Sequence, residues 1–316
     1  MRPLTTTLRT NRRYLLLAVL LLAALYVLVP QFGEFRSSWH LLRHPAVSWT
    51  ILAVGLTALT YLVGAATYCI LAFKPLAYGQ TAVVQLAAML INRLLPGGIG
   101  ALGVNYAYLR RRRHSSTQAA TVVALNNIIG FLGHGLLVAV GLIFLPGHAA
   151  AVSSSHNRPL GLVVKFMLGV LILLAVIVLV FGRRRFLKAA VEARYQFLSY
   201  RRRPWRLAAA LASSMVLTLS NVTCLLCCAL AVGVHLPFVA VLLIFTLGIG
   251  AGTATPTPGG LGGFEAGLTA GFIAYQVGSP AALAAALLYR LVSYWLPLLA
   301  GVPALIFSQK RELFAD

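Results

Sequence analysis

The sequence predicts an all-α integral membrane protein, with about six full transmembrane helices and two re-entrant hairpins that are broken at Pro-Gly-Gly. Of the 316 residues, 60% are hydrophobic and 10% are charged, and the mean hydropathy is +0.88. Soluble domains carry about 25% charged residues. Six apolar runs approach or exceed the roughly 18–20 residues that cross a bilayer as a helix. These runs are 14–29, 47–73, 119–145, 160–181, 207–234 and 281–307.

The basic residues predict how the chain is oriented. The net charge is +21, and no soluble module is present to bind nucleic acid, so we expect no nucleic-acid partner. Most Lys and Arg lie in short clusters at the ends of apolar runs, as in cytoplasmic loops. The clusters lie within 2–13, 110–113, 183–206 and 310–311. We therefore expect a multi-pass protein of the bacterial inner membrane with both termini in the cytoplasm.

One polytopic domain, 1–316, accounts for the whole chain. A basic cytoplasmic loop at 182–206 divides it into a first half at about 47–181 and a second half at about 207–307.

The first re-entrant hairpin follows from length and charge. Lys74 and Arg110 are both expected in the cytoplasm, and between them a helix at 82–95 leads to Pro96-Gly97-Gly98-Ile99-Gly100. The segment 102–109 that follows reaches only about 12 Å as a helix, which is too short to cross the membrane. The chain must therefore enter from the cytoplasm and return to it.

The second broken segment comprises 238–254, a Gly- and Pro-rich string at 256–263, and 264–277. A cytoplasmic loop at this break would lack positive charge, because no Lys or Arg occurs from 207 to 289. A hairpin that enters from outside is therefore favoured. Two true spans remain the alternative, since each arm is long enough.

The two breaks resemble each other. Pro96-Gly97-Gly98-Ile99-Gly100 aligns with Pro258-Gly259-Gly260-Leu261-Gly262 at an offset of 162 residues, and the same offset aligns 117–120 with 279–282. Each half then has the order span, hairpin, span, and the two hairpins enter from opposite sides as an inverted repeat. Such Gly/Pro-interrupted repeats indicate a binding site near the membrane midplane of a transporter. Alternatively, Pro-Gly-Gly only bends two packed helices.

Ionisable residues at membrane depth are costly and are functional candidates. Glu265 is the only acidic residue in a predicted membrane segment, and Arg290 lies near the middle of the last apolar run. We predict that they pair, with the alternative that the pair only locks the second hairpin to the last helix. Arg93, beside Asn92 and the first break, is a candidate for binding a lipid phosphate together with backbone N–H groups. Alternatively, Arg93 extends to the cytoplasmic surface.

The sequence lacks the residues and motifs that several common enzyme activities require. It has no phosphate-binding loop of the Gly-x-x-x-x-Gly-Lys-Ser/Thr type. The only Asp is Asp316, so neither an Asp-rich metal site nor a Ser/His/Asp triad can be assembled. The largest stretch outside the predicted membrane segments is too short for a catalytic domain. We therefore expect no enzyme activity, no cofactor and no metal site.

Three strings resemble the transmembrane region of bacterial lysylphosphatidylglycerol synthases and the stand-alone flippase-like proteins that share it. They are 92–100, 256–265, and Tyr289-Arg290 in the last span. The resemblance covers nearly the whole chain. In the full-length synthases this region is associated with moving aminoacylated phospholipid, while a C-terminal soluble domain transfers the amino acid. The sequence ends at Asp316, just after its last span, so the resemblance implies lipid translocation without lysyl transfer.

The resemblance and the two breaks together give the candidate lipid-binding residues. They are Asn92, Arg93, Pro96, Gly97, Gly98 and Gly100 in the first half, and the motif residues Pro258, Gly259, Gly260, Gly262, Glu265, Tyr289 and Arg290 in the second half. Gly103 stands where the offset would place a counterpart of Glu265, so a mechanism based on charge is asymmetric.

We expect flippase-like translocation of an anionic or aminoacylated phospholipid, or of a lipid-linked precursor. The alternative is a non-transporting membrane subunit that anchors or presents lipid to a separate synthase or glycosyltransferase. The expected partners are membrane lipids, above all anionic phospholipid. The helices rich in small residues are also compatible with a homodimer, and a partner synthase is the other protein partner considered.

Overall fold

The computed structural model describes residues 41–95, 99–143, 200, 203–255, 257–311 and 313. Within these ranges, the regular secondary structure is helical. The α-helices are α1 (Val47–Leu71), α2 (Tyr78–Leu94), α3 (Ile99–Arg111), α4 (Ser116–Ile143), α5 (Pro204–Ala231), α6 (Phe238–Ala254), α7 (Gly263–Ala274), α8 (Ser279–Arg290) and α9 (Leu296–Lys310). A 3₁₀ turn at Pro258–Gly260 precedes α7, and a π-helical turn at Leu291–Trp295 joins α8 to α9.

Four described helical segments are long and apolar enough to cross a membrane: Val47–Leu71, Ser116–Leu142, Pro204–Ala231 and Ser279–Lys310. They lie at four of the six predicted spans, with ends that differ by a few residues. Two further predicted spans, 14–29 and 160–181, lie outside the described residues, as does nearly all of the predicted basic loop at 182–206. The protein is therefore an all-helical, multi-pass membrane protein, and its full number of spans stays a prediction.

The basic clusters that the structure describes lie at one end of the molecule. The backbone N–H of Lys74 donates to Nε2 of His114 at 3.2 Å, which joins the ends of α1 and α3. Arg206, at the start of α5, donates to the carbonyl of Ala72 at 3.2 Å. Leu313, just beyond α9, is buried against Tyr108 of α3. This end is called the basic end below.

The other end is fixed by contacts among α1, α4, α5 and α6. The backbone N–H of Ala46, just before α1, donates to the carbonyl of Ala231 at the end of α5 at 2.9 Å. Gly141 of α4 packs against Val239 and Leu242 near the start of α6. Since α1 and α5 pack along their lengths in opposite directions, they form the centre of the fold, around which the broken segments are placed.

The first broken segment leaves the basic end and returns to it. Three side-chain bonds hold α2 and α3 antiparallel: Thr81 to Tyr108 at 2.9 Å, Gln85 to Asn105 at 2.8 Å, and Asn92 to the backbone N–H of Ala101 at 3.1 Å. The arm α3 has 13 residues, longer than the predicted 102–109 because the helix begins directly after the break. At 1.5 Å per residue it is still about 20 Å long, too short to span.

Gly100 of α3 lies directly against the backbone of α2. A Cβ atom at this position would lie 2.6 Å from the carbonyl oxygen of Ile91 and 2.7 Å from Cα of Asn92. Both obstacles are backbone atoms, which cannot rotate away. Gly103, one turn further on, has no heavy atom within 4 Å of the corresponding position.

We expect Gly100→Ala to lower the free energy of unfolding by about 1–3 kcal/mol, because the added methyl group forces α2 and α3 apart. Gly103→Ala is the matched control, and it should be neutral or slightly stabilising because alanine favours the helix. Thermal unfolding of the purified variants in detergent measures both effects. Equal melting temperatures for the two variants would contradict the close approach at Gly100.

The second broken segment runs in the opposite direction and is packed even more closely. Five glycines of α6 and α7 touch the facing segment. A Cβ at Gly263 would meet Thr255 at the end of α6, one at Gly267 would meet Ala251, one at Gly252 would meet Phe264, one at Gly248 would meet Leu268, and one at Gly271 would meet Ile244. This order makes α6 and α7 antiparallel, so that α7 ends near the start of α6. The arm α7 ends at Ala274, three residues before the predicted end, where Tyr275 and Gln276 form a turn.

His114 lies in the loop between α3 and α4 at the basic end, outside the helices. The residue is 1% exposed. Nε2 accepts from the Lys74 N–H, and Nδ1 lies 3.1 Å from the carbonyl of Leu109, to which it donates in the neutral tautomer. Burial lowers the pKa of His114, and the charge of Lys74 acts in the same direction. A protonated ring would lose the bond from Lys74 and would bury a charge.

We expect the melting temperature to fall as the pH drops below about 6.5, the pKa of an unfolded histidine. The sign follows from the lowered pKa of His114 in the folded protein, since the unfolded chain then binds a proton more readily. Melting curves of the wild type and of two variants at pH 8 and pH 5 test this. His114→Gln should weaken the pH dependence, whereas His235→Gln, at an exposed position, should leave it unchanged. An unchanged pH dependence in His114→Gln would contradict the prediction.

Candidate functional site

The tips of the two broken segments contact each other. The end of α2 contacts the 3₁₀ turn at Pro258–Gly260. Between these tips lies a cavity of about 680 Å³, here called the outer cavity. Its walls are Asn92, Arg93, Ile249, Gly252, Thr253, Ala254, Thr255, Thr257, Gly259, Gly260, Phe264, Arg290 and Tyr294. The structure thus brings candidate residues from both halves together, although they are far apart in sequence.

Glu265 and Arg290 form the predicted ion pair. Nε of Arg290 donates to Oε1 of Glu265 at 2.6 Å, and the two side chains are 8% and 16% exposed. The other carboxylate oxygen, Oε2, accepts the backbone N–H of Gly262 at 2.8 Å. Glu265 therefore also caps the N-terminus of α7, where a negative charge is favoured by the helix dipole. Arg290 donates further to the carbonyl of Gly259 at 3.1 Å.

The glycines of the second break are required by its backbone shape. Gly259, Gly260 and Gly262 have φ values of 62°, 65° and 85°, in the left-handed region that favours glycine. A Cβ at Gly259 would also lie 2.5 Å from the ring of Tyr294. The Pro258–Gly260 turn therefore fits closely against the π-helical turn, with its Gly259 carbonyl aimed at Arg290.

Arg93 is held by the π-helical turn. Its guanidinium donates to the carbonyl oxygens of Ser293 and Tyr294. A π-helical turn leaves backbone carbonyls without their usual helical partner, and such turns are frequent at functional sites. This contact contradicts the alternative in which Arg93 extends to the cytoplasmic surface, and it joins the first broken segment to the last helix.

Tyr294 lies between the two arginines in the contact network. The guanidinium carbons of Arg93 and Arg290 are each 4.2 Å from the centroid of its ring. A cation at this distance from an aromatic ring is attracted by the ring's electrons. Tyr294 therefore places two positive charges in one cavity wall. The sequence did not single out this tyrosine, although it lies four residues after Arg290.

The remaining candidate residues lie in different places, and only some of them line the outer cavity. Asn92 accepts the Ala101 N–H across the first break, so its side chain caps α3 as well as lining the outer cavity. Gly100 serves close packing, Pro258 begins the 3₁₀ turn, and Pro96, Gly97 and Gly98 lie outside the described residues. Tyr289 does not reach the outer cavity. Its ring stacks on Phe264 with 6.0 Å between centroids, and its hydroxyl donates to Asn221 at 3.4 Å.

A smaller cavity of about 220 Å³, here called the inner cavity, adjoins the outer one. Arg93, Phe264 and Arg290 line both cavities and separate them. The other walls are mostly polar and come from α1, α5, α6 and α8 with the π-helical turn: Thr57, Thr60, Tyr61, Asn221, Phe245, Tyr289 and Ser293. Among the described residues, no three His, Cys, Asp or Glu side chains come together as a metal site would require.

The protein is thus a multi-pass helical membrane protein. Two of its helical segments are broken at glycines, and the cavity between the breaks is lined by charged side chains. The sequence profile described as the lysylphosphatidylglycerol synthase TM region matches residues 15–301. The chain therefore belongs to this family, and it is a membrane protein linked to lipid handling. A search of curated proteins gives no match.

Proposed function

We propose that this protein translocates a phospholipid, anionic or aminoacylated, or a lipid-linked precursor across the bacterial inner membrane, and that it does so without being an enzyme. The observation that carries the proposal is the outer cavity, where two helix pairs from opposite ends meet around Arg93 and Arg290. The headgroup would occupy this cavity while the acyl chains stay in the bilayer.

The directions of the two helix pairs support this proposal. In this account each pair is a re-entrant hairpin, the first from the cytoplasm and the second from outside, as in an inverted repeat with both termini in the cytoplasm. Irregular backbone at membrane depth is tolerated where protein or a water-filled cavity covers it. A cavity between two such tips is accessible in turn from each side when one hairpin moves against the other, as in secondary transporters.

Both cavity arginines have partners within the protein, which lower the cost of placing their charges at membrane depth. Arg290 is paired with Glu265, while Arg93 is held by two carbonyls and an aromatic ring. One guanidinium is thus neutralised by a carboxylate and the other is not, so the cavity keeps a positive charge that an anionic headgroup neutralises. The cost of a buried charge then falls when lipid binds.

The test is lipid movement in proteoliposomes that contain the purified protein. We expect protein-dependent movement of labelled phospholipid between leaflets, and a clear loss in Glu265→Gln, which keeps the shape of the side chain but removes the ion pair that fixes Arg290 in the cavity wall. Lys310→Gln, an exposed change at the basic end, is the matched control. If no lipid moves with folded protein, the proposal is wrong, and a non-transporting subunit that presents lipid to a partner synthase replaces it.

A further inference from the structure

The ring of Tyr294 contacts one arginine from each half of the chain. The guanidinium carbons of Arg93, near the end of α2, and Arg290, at the end of α8, are each 4.2 Å from its centroid. The two carbons are therefore no more than twice that distance apart. Two positive charges this close repel each other, and an aromatic ring that attracts both offsets part of the repulsion. The ring thus helps to keep the two charges together.

The surroundings of Tyr294 fix its ring. The residue is 5% exposed. A Cβ at Gly259 would lie 2.5 Å from Cε2 of the ring and 2.7 Å from the hydroxyl oxygen, so the 3₁₀ turn touches this edge. The Trp295 ring packs edge-on with 5.2 Å between centroids, and the Tyr294 carbonyl accepts a bond from Arg93. The ring cannot turn away without breaking these contacts, so it can orient both guanidiniums.

The spacing of the two guanidiniums suits one phosphate. A guanidinium has five N–H groups, and the bonds described above use two on Arg93 and two on Arg290. Both side chains line the outer cavity. In a charge-assisted pair the guanidinium carbon lies about 4 Å from the phosphorus, so two guanidiniums on one phosphate are up to about 8 Å apart. Twice 4.2 Å agrees with this limit, so one phosphate can contact both arginines.

On the basis of the proposed function, we infer that Tyr294 is a positioning residue, whose ring holds Arg93 and Arg290 so that one phosphate group bridges them. This pair of side chains is here called the two-arginine clamp. Its ligand is a phosphodiester, and the phosphate joins a side chain of the first half to one of the second. Phosphatidylglycerol and its lysyl ester both carry the group that the clamp binds.

The first test measures binding instead of movement. The purified full chain in nonionic detergent is titrated with phosphatidylglycerol or lysylphosphatidylglycerol, each labelled on an acyl chain. We expect Tyr294→Leu to bind both lipids about tenfold more weakly than the wild type, because two cation–π contacts are lost. Tyr294→Phe keeps the ring and should bind as the wild type does. Wild-type affinity in Tyr294→Leu, or an equal loss in both variants, would overturn the inference.

Tyr106→Leu is the matched control, because Tyr106 lies on α3, is 37% exposed and lines neither cavity. Affinities are compared at equal amounts of folded protein, with melting temperatures recorded, so that a loss of stability is not counted as a loss of binding. Lipid movement by the wild type is measured in parallel. Its absence contradicts the proposed function, whereas movement together with unchanged binding in Tyr294→Leu contradicts only the role of Tyr294.

A ring that acts through the arginines has an effect that depends on Arg93. In the Arg93→Gln background the clamp is already incomplete, so adding Tyr294→Leu should weaken binding by about twofold instead of tenfold. A packing role alone would give the same factor in both backgrounds. Equal factors would therefore show that Tyr294 does not position the arginines.

A last measurement separates a lipid headgroup from free phosphate, which has the same chemistry. Inorganic phosphate and unlabelled phosphatidylglycerol compete with the bound labelled lipid. We expect inorganic phosphate to displace little, because the acyl chains of the lipid add to its binding. Displacement as effective as that by unlabelled phosphatidylglycerol would assign the clamp to a soluble anion and overturn the assignment of a lipid phosphate.

Discussion

Replacing Arg290 by leucine is expected to lower the free energy of unfolding by about 3–5 kcal/mol, because it leaves the carboxylate of Glu265 buried without its partner. The change also removes the bond to the Gly259 carbonyl and the cation–π contacts with Phe264 and Tyr294. Three elements would then separate: the 3₁₀ turn, α7 and the π-helical turn. We expect little folded protein in detergent extracts.

The charge-swapped variant distinguishes the ion pair from simple packing. Glu265→Arg combined with Arg290→Glu restores opposite charges and should recover part of the lost stability. The recovery should be incomplete, since an arginine at position 265 cannot accept the Gly262 N–H. Thermal unfolding of the two single variants and the double variant measures the coupling. If the losses of the single variants simply add in the double variant, the pair contributes no coupling energy.

Arg93→Gln is expected to reduce lipid movement about tenfold or more while the protein remains folded. The variant removes the charge that no carboxylate compensates, and with it the attraction for an anionic headgroup. Glutamine still reaches one carbonyl of the π-helical turn, so the two segments stay in contact. Arg93→Lys keeps the charge but cannot form both bonds to Ser293 and Tyr294 in one plane. We expect it to fall between wild type and Arg93→Gln.

The control for Arg93 is again Lys310→Gln, which removes one positive charge at the basic end. Movement rates are compared at equal amounts of folded protein, with the melting temperature of each variant recorded. Movement by Arg93→Gln at the wild-type rate would mean that Arg93 serves only to join α2 to the π-helical turn.

Much of the fold was predictable because a membrane constrains sequence strongly. Apolar runs of sufficient length identified the helices now seen at Val47–Leu71, Ser116–Leu142, Pro204–Ala231 and Ser279–Lys310. The broken segments were found from Pro-Gly-Gly and from the short arm that follows it. The Glu265–Arg290 pair followed from the cost of isolated charges in a bilayer, since one acid and one base lay at similar depth.

Other features of the site depend on tertiary contacts that a single sequence does not encode. The last span looked like one continuous apolar run, yet a π-helical turn interrupts it at Leu291–Trp295. The carbonyl oxygens of this turn accept hydrogen bonds from Arg93, and the ring of Tyr294 makes cation–π contacts with both Arg93 and Arg290. Proline at position 297 was a usable signal, because a proline near the start of a helix often marks a helix boundary. The role of Asn92 as a cap of α3 depends on the fold of the break.

The inner cavity was also beyond prediction from sequence. Its polar groups come from α1, α5 and the end of α8, and each alone looks like an ordinary side chain within a membrane helix. They become a candidate site only because the fold brings them together around one cavity of about 220 Å³. The predicted spans 14–29 and 160–181, the inverted repeat and the orientation in the membrane stay predictions.

The central claim is that the cavity between the two tips binds a lipid headgroup, and photochemical crosslinking tests it most directly. An anionic phospholipid with a small photoreactive headgroup is incorporated into proteoliposomes with wild type, Arg93→Gln or Lys310→Gln and irradiated. We expect the label on peptides that line the outer cavity, around Thr253 and Tyr294, with a strong loss in Arg93→Gln and none in Lys310→Gln. Label that is equal in all three proteins, or that lies only on the outer faces of the helices, would contradict the account.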